Sequence, residues 1–487
     1  MDERIQYLLS HPDELIRKKP FFRGGDTPAM NGEMDDGIDV CITDRVRVRT
    51  PRTRKNIVSQ ERFLKELDPN THDVMFDENI PSICVKVRGG FRNIEFKKMG
   101  LPYQERIRQK QTLSLGGNPT VFTLYGDAPA EEEKRDYALI KEYWKERNVD
   151  GMRTKAIYTQ KGVGDVGLLA YRNRRGEIRF RLLSYEDGYV IISHKDENGE
   201  RLMECVYYTD EDGVERIDCY DDTNIYRMRS DETAENGWSM TTVRHGFSEI
   251  PLATKRGDVA WNKVQSLIEV YEIIYNIFLV IQKRHGWGIL YIRGRVKEQT
   301  KQVAGSVILQ DMSMDGKGTA EFKAPASPNG MIETLQALED EIQKGSSTTF
   351  LLPKDVKSSG DISALAIMLT QSLDLEGAAR DVIEWQNFMD KVKRLFIEGL
   401  AQELVQNGKH PTAITAFKKL HIGVTLKVWR PFNEYEYNQM LISMKSAGII
   451  STKTAVEKNT VSTPDEEMRL ASEISTTTTT EQGNGSI

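Results

Sequence analysis

The pattern that most limits the fold of this chain lies in its second half. From Asp361, which can cap a helix, a helical period runs through Trp385, Phe388, Val392, Leu395 and Leu400 to about Gln406. Asn407 and Gly408 stop it, and Pro411 follows. At about forty-five residues this predicted helix is far longer than the globular mean of roughly 11–12. Directly ahead of it, residues 346–361 are rich in Ser and Thr, hold Pro353 and Gly360, and set Lys354 and Lys357 against Asp355 and Asp361. Such a stretch either connects two elements or is the part that meets a substrate.

The 487 residues suffice for roughly two to four domains. A second long helix is predicted over Asp258–Gly286, with apolar residues at 264, 267, 268, 271, 274, 275, 278 and 281. Its most apolar part, "IIYNIFLVI" from Ile273 to Ile281, is too short to span a bilayer and follows Glu269 and Glu272. A compact α/β insert comes next: strand "ILYIRG", helix "VKEQTKQVAG", strand "SVILQ", the turn "SMDGKG" and strand "AEFKAP". A further helix is predicted from Met331 to about Gly345.

The first half reads differently. Over roughly 166–245, Arg-Gly, Asn-Gly and Asp-Gly turns separate β-rich flanks, which predicts a meander forming one antiparallel sheet. A helical stretch with Tyr137, Leu139, Ile140, Tyr143 and Trp144 on one stripe precedes it. Residues Arg45–Lys55 alternate basic residues with Val and Thr before and after Pro51. That pattern suits a strand with one basic face; a solvated arm or a contact with an acidic neighbour is favoured over a nucleic-acid patch. The last residues, "ISTTTTTEQGNGSI", form a polar tail expected to be disordered.

The chemistry of enzymes is hard to find. "GVGDVG", Gly162–Gly167, fits a dinucleotide-binding fingerprint by letter, but that loop needs a strand before it and a helix after it, and here the order is reversed. Its glycines more simply permit a tight turn into the strand. "DGKGTA" has Gly318 where a phosphate-binding loop needs Ser or Thr. Cys41, Cys84, Cys205 and Cys219 are far apart and are expected to be free thiols in a reducing compartment. The seven histidines form no metal motif, and no cofactor is expected. The net charge of −6 lacks the basic bias of proteins that grip DNA tightly. The N-terminus, "MDERIQYLLSHPDEL", has acidic residues where a signal peptide has a basic start, so a cytosolic protein or a soluble assembly is expected.

The order of elements resembles the portal proteins of tailed bacteriophages and related viruses. The stretches that carry the resemblance are "IRQKQTLSLGGNPTVF", "GVGDVGLLAYRNRRGEIRFRLLSYEDGYVI", "GFSEIPLATKRGDVAWNKVQSLIEVYEIIYN", "SSGDISALAIML" and "VWRPFNEYEYNQMLISMKSAGIISTKTAVEKN". In "SSGDISALAIML", Asp-Ile-Ser stands in place of the family's shorter spacing. Together they cover roughly residues 100–470; the first hundred match poorly.

The resemblance implies an α+β portal fold. Its parts would be a mixed α/β wing with an antiparallel sheet over 1–257, stem helices at 258–286 and 328–345, and a small α/β clip at 287–327. A tunnel loop would span 346–361, a long helix returning to the wing 362–432, a helical crown 433–475 and a tail 476–487. It further implies a ring, typically of twelve subunits, at one capsid vertex of the virion, assembled in the host cytoplasm, with double-stranded DNA passing through its channel. The terminase large subunit, a head-completion adaptor, and the major capsid and scaffolding proteins would be its partners, with no membrane role. Lys354 and Lys357 would meet phosphates transiently beside Asp355 and Ser358, while Leu351 and Leu352 would pack against neighbouring loops. Two other readings stay open: a different phage structural protein of tail or capsid, or a nucleic-acid-processing enzyme housed in the first hundred residues.

Overall fold

The long helical stripe is one continuous helix where it is described, Ser372–Gln406, 35 residues and about 52 Å at 1.5 Å per residue. Gly408, in the left-handed region at φ 66°, follows its end. The computed structural model describes residues 3–12, 15, 60–80, 97–126, 129–195, 198–234, 237–285, 329–350, 372–429 and 434–459. It also describes the strand backbones at 38–39, 48–49, 83–87, 90–94, 289–293, 308–311 and 319–323. The predicted helix start at 361–371, the insert's helix, the tail and most of Arg45–Lys55 lie outside these residues.

The described helices are α1 (Glu3–Ser10), α2 (Gln60–Leu67), α3 (Asp73–Phe76), α4 (Tyr103–Gly116), α5 (Glu131–Glu146) and α6 (Val149–Val163). They continue with α7 (Gln265–His285), α8 (Asn329–Ser346), α9 (Ser372–Gln406), α10 (Ala413–Lys419), α11 (Glu434–Ser446) and α12 (Thr452–Lys458). The strands are β1 (Ile38–Asp39), β2 (Val48–Arg49), β3 (Ile83–Val87), β4 (Gly90–Ile94), β5 (Val121–Leu124), β6 (Asp165–Arg172), β7 (Ile178–Leu183), β8 (Val190–Lys195) and β9 (Arg201–Thr209). They continue with β10 (Glu215–Tyr220), β11 (Asn224–Ser230), β12 (Trp238–Arg244), β13 (Leu252–Arg256), β14 (Ile289–Arg293), β15 (Ile308–Asp311), β16 (Thr319–Lys323) and β17 (Ile422–Thr425).

The chain divides into two compact units, Met1–Thr348 with Leu373–Trp429, and Thr349–Ser372 with Arg430–Ile487. In the first, α9 is the axis of the main core. Its Trp385, Met389, Val392, Leu395, Phe396 and Leu400 meet Ile140 and Trp144 of α5, Val166 and Leu168 of β6, and Phe417 of α10. Trp144 stands edge-on to both Phe122 and Phe396, at centroid distances of 5.0 and 5.1 Å. In the second unit, Ser451 caps α12 by accepting the Thr454 N–H at 3.1 Å, and Leu441 of α11 is buried.

The strands expected over 166–245 are present, but they do not form one sheet. Strands β8 to β12 make a five-stranded antiparallel meander, whereas β6 and β7 join β13 in a separate sheet ordered β13-β6-β7. The break falls at Tyr185–Asp187, a helical turn closed by Gly188 at φ 83°. The partner that captures β6, Leu252–Arg256, lies some eighty residues downstream, where hairpin chemistry gives no signal. One face of the five-stranded sheet is covered by α1, whose Ile5, Leu8 and Leu9 pack with Ile192, Met203, Ile217 and Met228.

Three further expectations are corrected. The helix expected over Asp258–Gly286 begins only at Gln265, because residues 259–264 fold into turns that bury Trp261 and donate its indole N–H to Glu66 at 2.9 Å. The helical stretch before the meander is two helices, α5 and α6, broken at Asn148, whose φ is 52°. Cys205 and Cys219 are not free thiols: β9 and β10 place them directly opposite each other, buried, as a cross-strand disulfide. The reversed order around "GVGDVG" is as expected: α6 ends at Val163, Gly164 takes φ 83°, and β6 begins at Asp165. The insert's three strands form a mixed sheet, with β14 parallel to β15 and antiparallel to β16.

Candidate functional site

The segment read as DNA-facing leaves α8 at a tightly built root. After Ser346 the chain turns through Ser347, a non-glycine residue at φ 51°, a conformation that costs about 1–2 kcal/mol. The turn is held by Ser347 N–H donating to Lys344 O at 3.2 Å and Thr348 N–H to Gln343 O at 3.0 Å. Thr348 is fully buried and its hydroxyl donates to Ser346 O at 3.1 Å. From α4, Gln111 donates through Nε2 to the same Ser346 oxygen at 2.8 Å.

Helix α9 closes on this turn. A Cβ on Gly377 would lie 2.9 Å from Ser347 Cβ, so only glycine lets the two backbones approach so closely. One turn further, Arg380 Nη2 donates to Ser347 Oγ at 3.3 Å. Gly345 is held in the same way against Val264, where a Cβ would meet Cγ1 at 2.6 Å.

Beside the root lies a cavity of about 490 Å³ between α4, α6, the turns at 257–263, the end of α8 and the first turns of α9. Its cations are Lys161, Lys255, Arg256, Lys263 and Arg380; its anions are Asp258, Asp374, Asp381 and Glu384. Lys161 pairs with Asp381 and Lys255 with Glu384. Near the cavity, Lys110 of α4 lies 3.5 Å from the cavity's Asp374. The side chains that line the cavity thus pair positive groups with negative ones, so the site has no strong field of one sign.

The six residues singled out in the sequence, Leu351, Leu352, Lys354, Asp355, Lys357 and Ser358, lie outside the described residues. What the fold brings together is their anchor: Ser346–Thr348 on one side and Gly377 with Arg380 on the other. Sequence reading missed Gly377, Arg380 and Gln111. A glycine inside a long helix, about 1 kcal/mol worse than Ala there, is the signal that points to a close approach. Gln111 and Arg380 leave no such mark.

Among the described residues no group of three or more His, Cys, Asp or Glu side chains could hold a metal ion. No described helix is long and apolar enough to cross a membrane.

A family model described as "Phage portal protein, SPP1 Gp6-like" matches residues 94–480, so residues 1–93 lie outside the match. Among solved structures, "Neck of empty GTA particle computed with C6 symmetry" is similar at 14% identity, covering 72% of this chain and 88% of that chain, with a TM-score of 0.36. "Virion of native gene transfer agent (GTA) particle" is similar at 13% identity, covering 72% and 86%, with a TM-score of 0.34. At those scores neither carries weight for the fold. No curated protein matches the chain.

Proposed function

Because the chain belongs to the SPP1 Gp6-like family of phage portal proteins, a family of structural and not catalytic proteins, we propose that it is the subunit of a closed ring at one capsid vertex. Double-stranded DNA passes through the ring's channel during packaging and ejection. The observation that carries this reading is the match over residues 94–480, which includes every segment read as stem, clip, loop, long helix and crown.

In this reading α7 and α8 are the stem, the insert at 287–327 is the clip that docks the terminase large subunit and later the head-completion adaptor, and the crown lies over 433–475. Residues 346–361 form the tunnel loop. Lys354 and Lys357 touch phosphates, Asp355 and Ser358 temper that contact, and Leu351 and Leu352 pack between neighbouring loops. The rigid root supports this assignment: a loop that is swept by moving DNA needs a fixed base. Balanced charge supports it as well, since each neutralised phosphate adds salt-dependent affinity and a strongly basic loop repeated around a ring would hold the DNA back.

The test is the native mass of the purified protein together with end-on electron-microscope views. Closed rings of about twelve or thirteen subunits around a central hole are expected. Sheets, tubes or shells would favour a tail or capsid component instead. An absence of rings even with the scaffolding protein present would overturn the reading.

A further inference from the structure

Stem-like helix α7 is tied to the rest of its unit by polar side chains buried almost completely. Glu272 and Asn276, one turn apart, are 2% and 0% exposed. Asn276 accepts the Met99 N–H at 2.9 Å and donates to Met99 O at 2.8 Å. Glu272 Oε1 accepts the Leu101 N–H at 2.7 Å. The third tie is His72, between α2 and α3, with its side chain 4% exposed.

The two ring nitrogens of His72 both face acceptors. Nδ1 is 2.7 Å from Glu272 Oε1, and Nε2 is 2.8 Å from the main-chain oxygen of Glu66. A carbonyl oxygen only accepts, so Nε2 carries a hydrogen. With Glu272 as its carboxylate, Oε1 only accepts, from Leu101 and from the ring alike, so Nδ1 carries one too. A neutral imidazole has a single N–H and cannot serve both contacts. Loss of the extra proton leaves a nitrogen lone pair against an acceptor oxygen in a dry site. We infer that the His72–Glu272 pair is a proton-held latch, which joins α7 to the 60–76 helical block and to the 99–101 segment and loosens when its proton is lost.

The surrounding charges favour keeping that proton. From α2, Glu66 directs its carboxylate to the Trp261 indole at 2.9 Å and to Arg62 at 2.6 Å. Asp68 acts on the ring from the turn before it, Glu269 sits one turn before Glu272 on α7, and Lys98 turns its ammonium to the Asp77 carbonyl. Burial opposes charge on the ring. The hydrogen bond and charge of Glu272, with the Glu66 carbonyl, outweigh it, so His72 lies above the ordinary imidazole value. A histidine raised in the folded state contributes stability that is complete below the ordinary imidazole value and is lost as pH rises through the raised one. The latch therefore opens on the alkaline side.

The test is amide hydrogen exchange of the full-length protein at pH 6 and pH 9, corrected for the intrinsic rate, in peptides covering 97–104 and 268–278. In the wild type, protection there is expected to drop about tenfold between the two pH values while β6 and β13 stay protected. His72 Nδ1 and the Leu101 N–H share the single atom Glu272 Oε1, so Glu272→Gln cannot serve both and also removes the charge that holds the ring proton; its protection at pH 6 is expected to fall below that of the wild type. His72→Gln has no titrating ring, and its protection is expected to be lower and flat with pH. A wild type that keeps equal protection at both pH values overturns the latch. So does a His72→Gln variant that loses protection between pH 6 and pH 9 as the wild type does, since the titrating group would then lie elsewhere.

Discussion

Asp165 shows how one residue inside a misleading motif finds its role. It stands in "GVGDVG", yet its carboxylate is fully buried and accepts a hydrogen bond from Gln60 Nε2 at 2.7 Å, which pins α2 to the point where α6 gives way to β6. Burial pushes its pKa up to about 7, against the opposing charge of Arg256 and the Gln60 hydrogen bond. An unfolded carboxyl ionises near 4, so over the interval from there to about 7 the folded chain holds the extra proton and loses stability as pH rises. Asp165→Asn removes this penalty. Relative to wild type, the variant is expected to gain on the order of 2–4 kcal/mol between pH 4 and pH 8. Urea-unfolding midpoints across that range measure it, and a pH-independent difference would contradict the assignment.

Between elements, α9 fits tightly against β7. Gly399 lies toward the C-terminal end of α9, and a Cβ there would come within 2.5 Å of Ile178 Cδ1 and 3.1 Å of its Cβ. Helix propensity by itself predicts that Gly399→Ala stabilises by about 1 kcal/mol. The contact predicts the opposite sign, a loss of about 1–3 kcal/mol from overpacking. Adding Ile178→Val removes the methyl at 2.5 Å but keeps Cγ1, which the new Cβ would meet at 2.7 Å, so it is expected to recover only part of that loss. Thermal and urea denaturation of the single and double variants would decide between packing and propensity, since a stabilised Gly399→Ala would mean that α9 and β7 have room to move apart.

At the scale of the whole molecule, the proposed conduit depends on weak contact with DNA repeated around a ring. Asp355→Lys replaces a negative charge with a positive one, a change of two charges in every loop, and leaves the buried root untouched. Rings of unchanged mass are expected, together with tighter DNA binding, a steeper fall of affinity with salt, and slower packaging that recovers as salt is raised. Packaging assays at two ionic strengths read this out. Unchanged packaging and binding at low salt would place residue 355 away from the DNA path.

Much of this protein is legible in its residues alone, because some signals are local. Period and capping gave the long helix to its end at Gln406, turn chemistry gave the strands between residues 165 and 244, and the helix–turn–strand order around Gly164 excluded a dinucleotide loop. The family, too, was carried by short stretches that keep their meaning in isolation. Only the tertiary structure decided how those pieces pair. It put β6 beside β13 and not within the meander, set Cys205 opposite Cys219, started α7 after the buried Trp261, and drew His72 to Glu272 across two hundred residues. Hydrophobic periodicity and turn propensity act over a few residues. Which strand edge, thiol or buried charge finds which partner is fixed by packing between segments distant in sequence, and no local pattern encodes it.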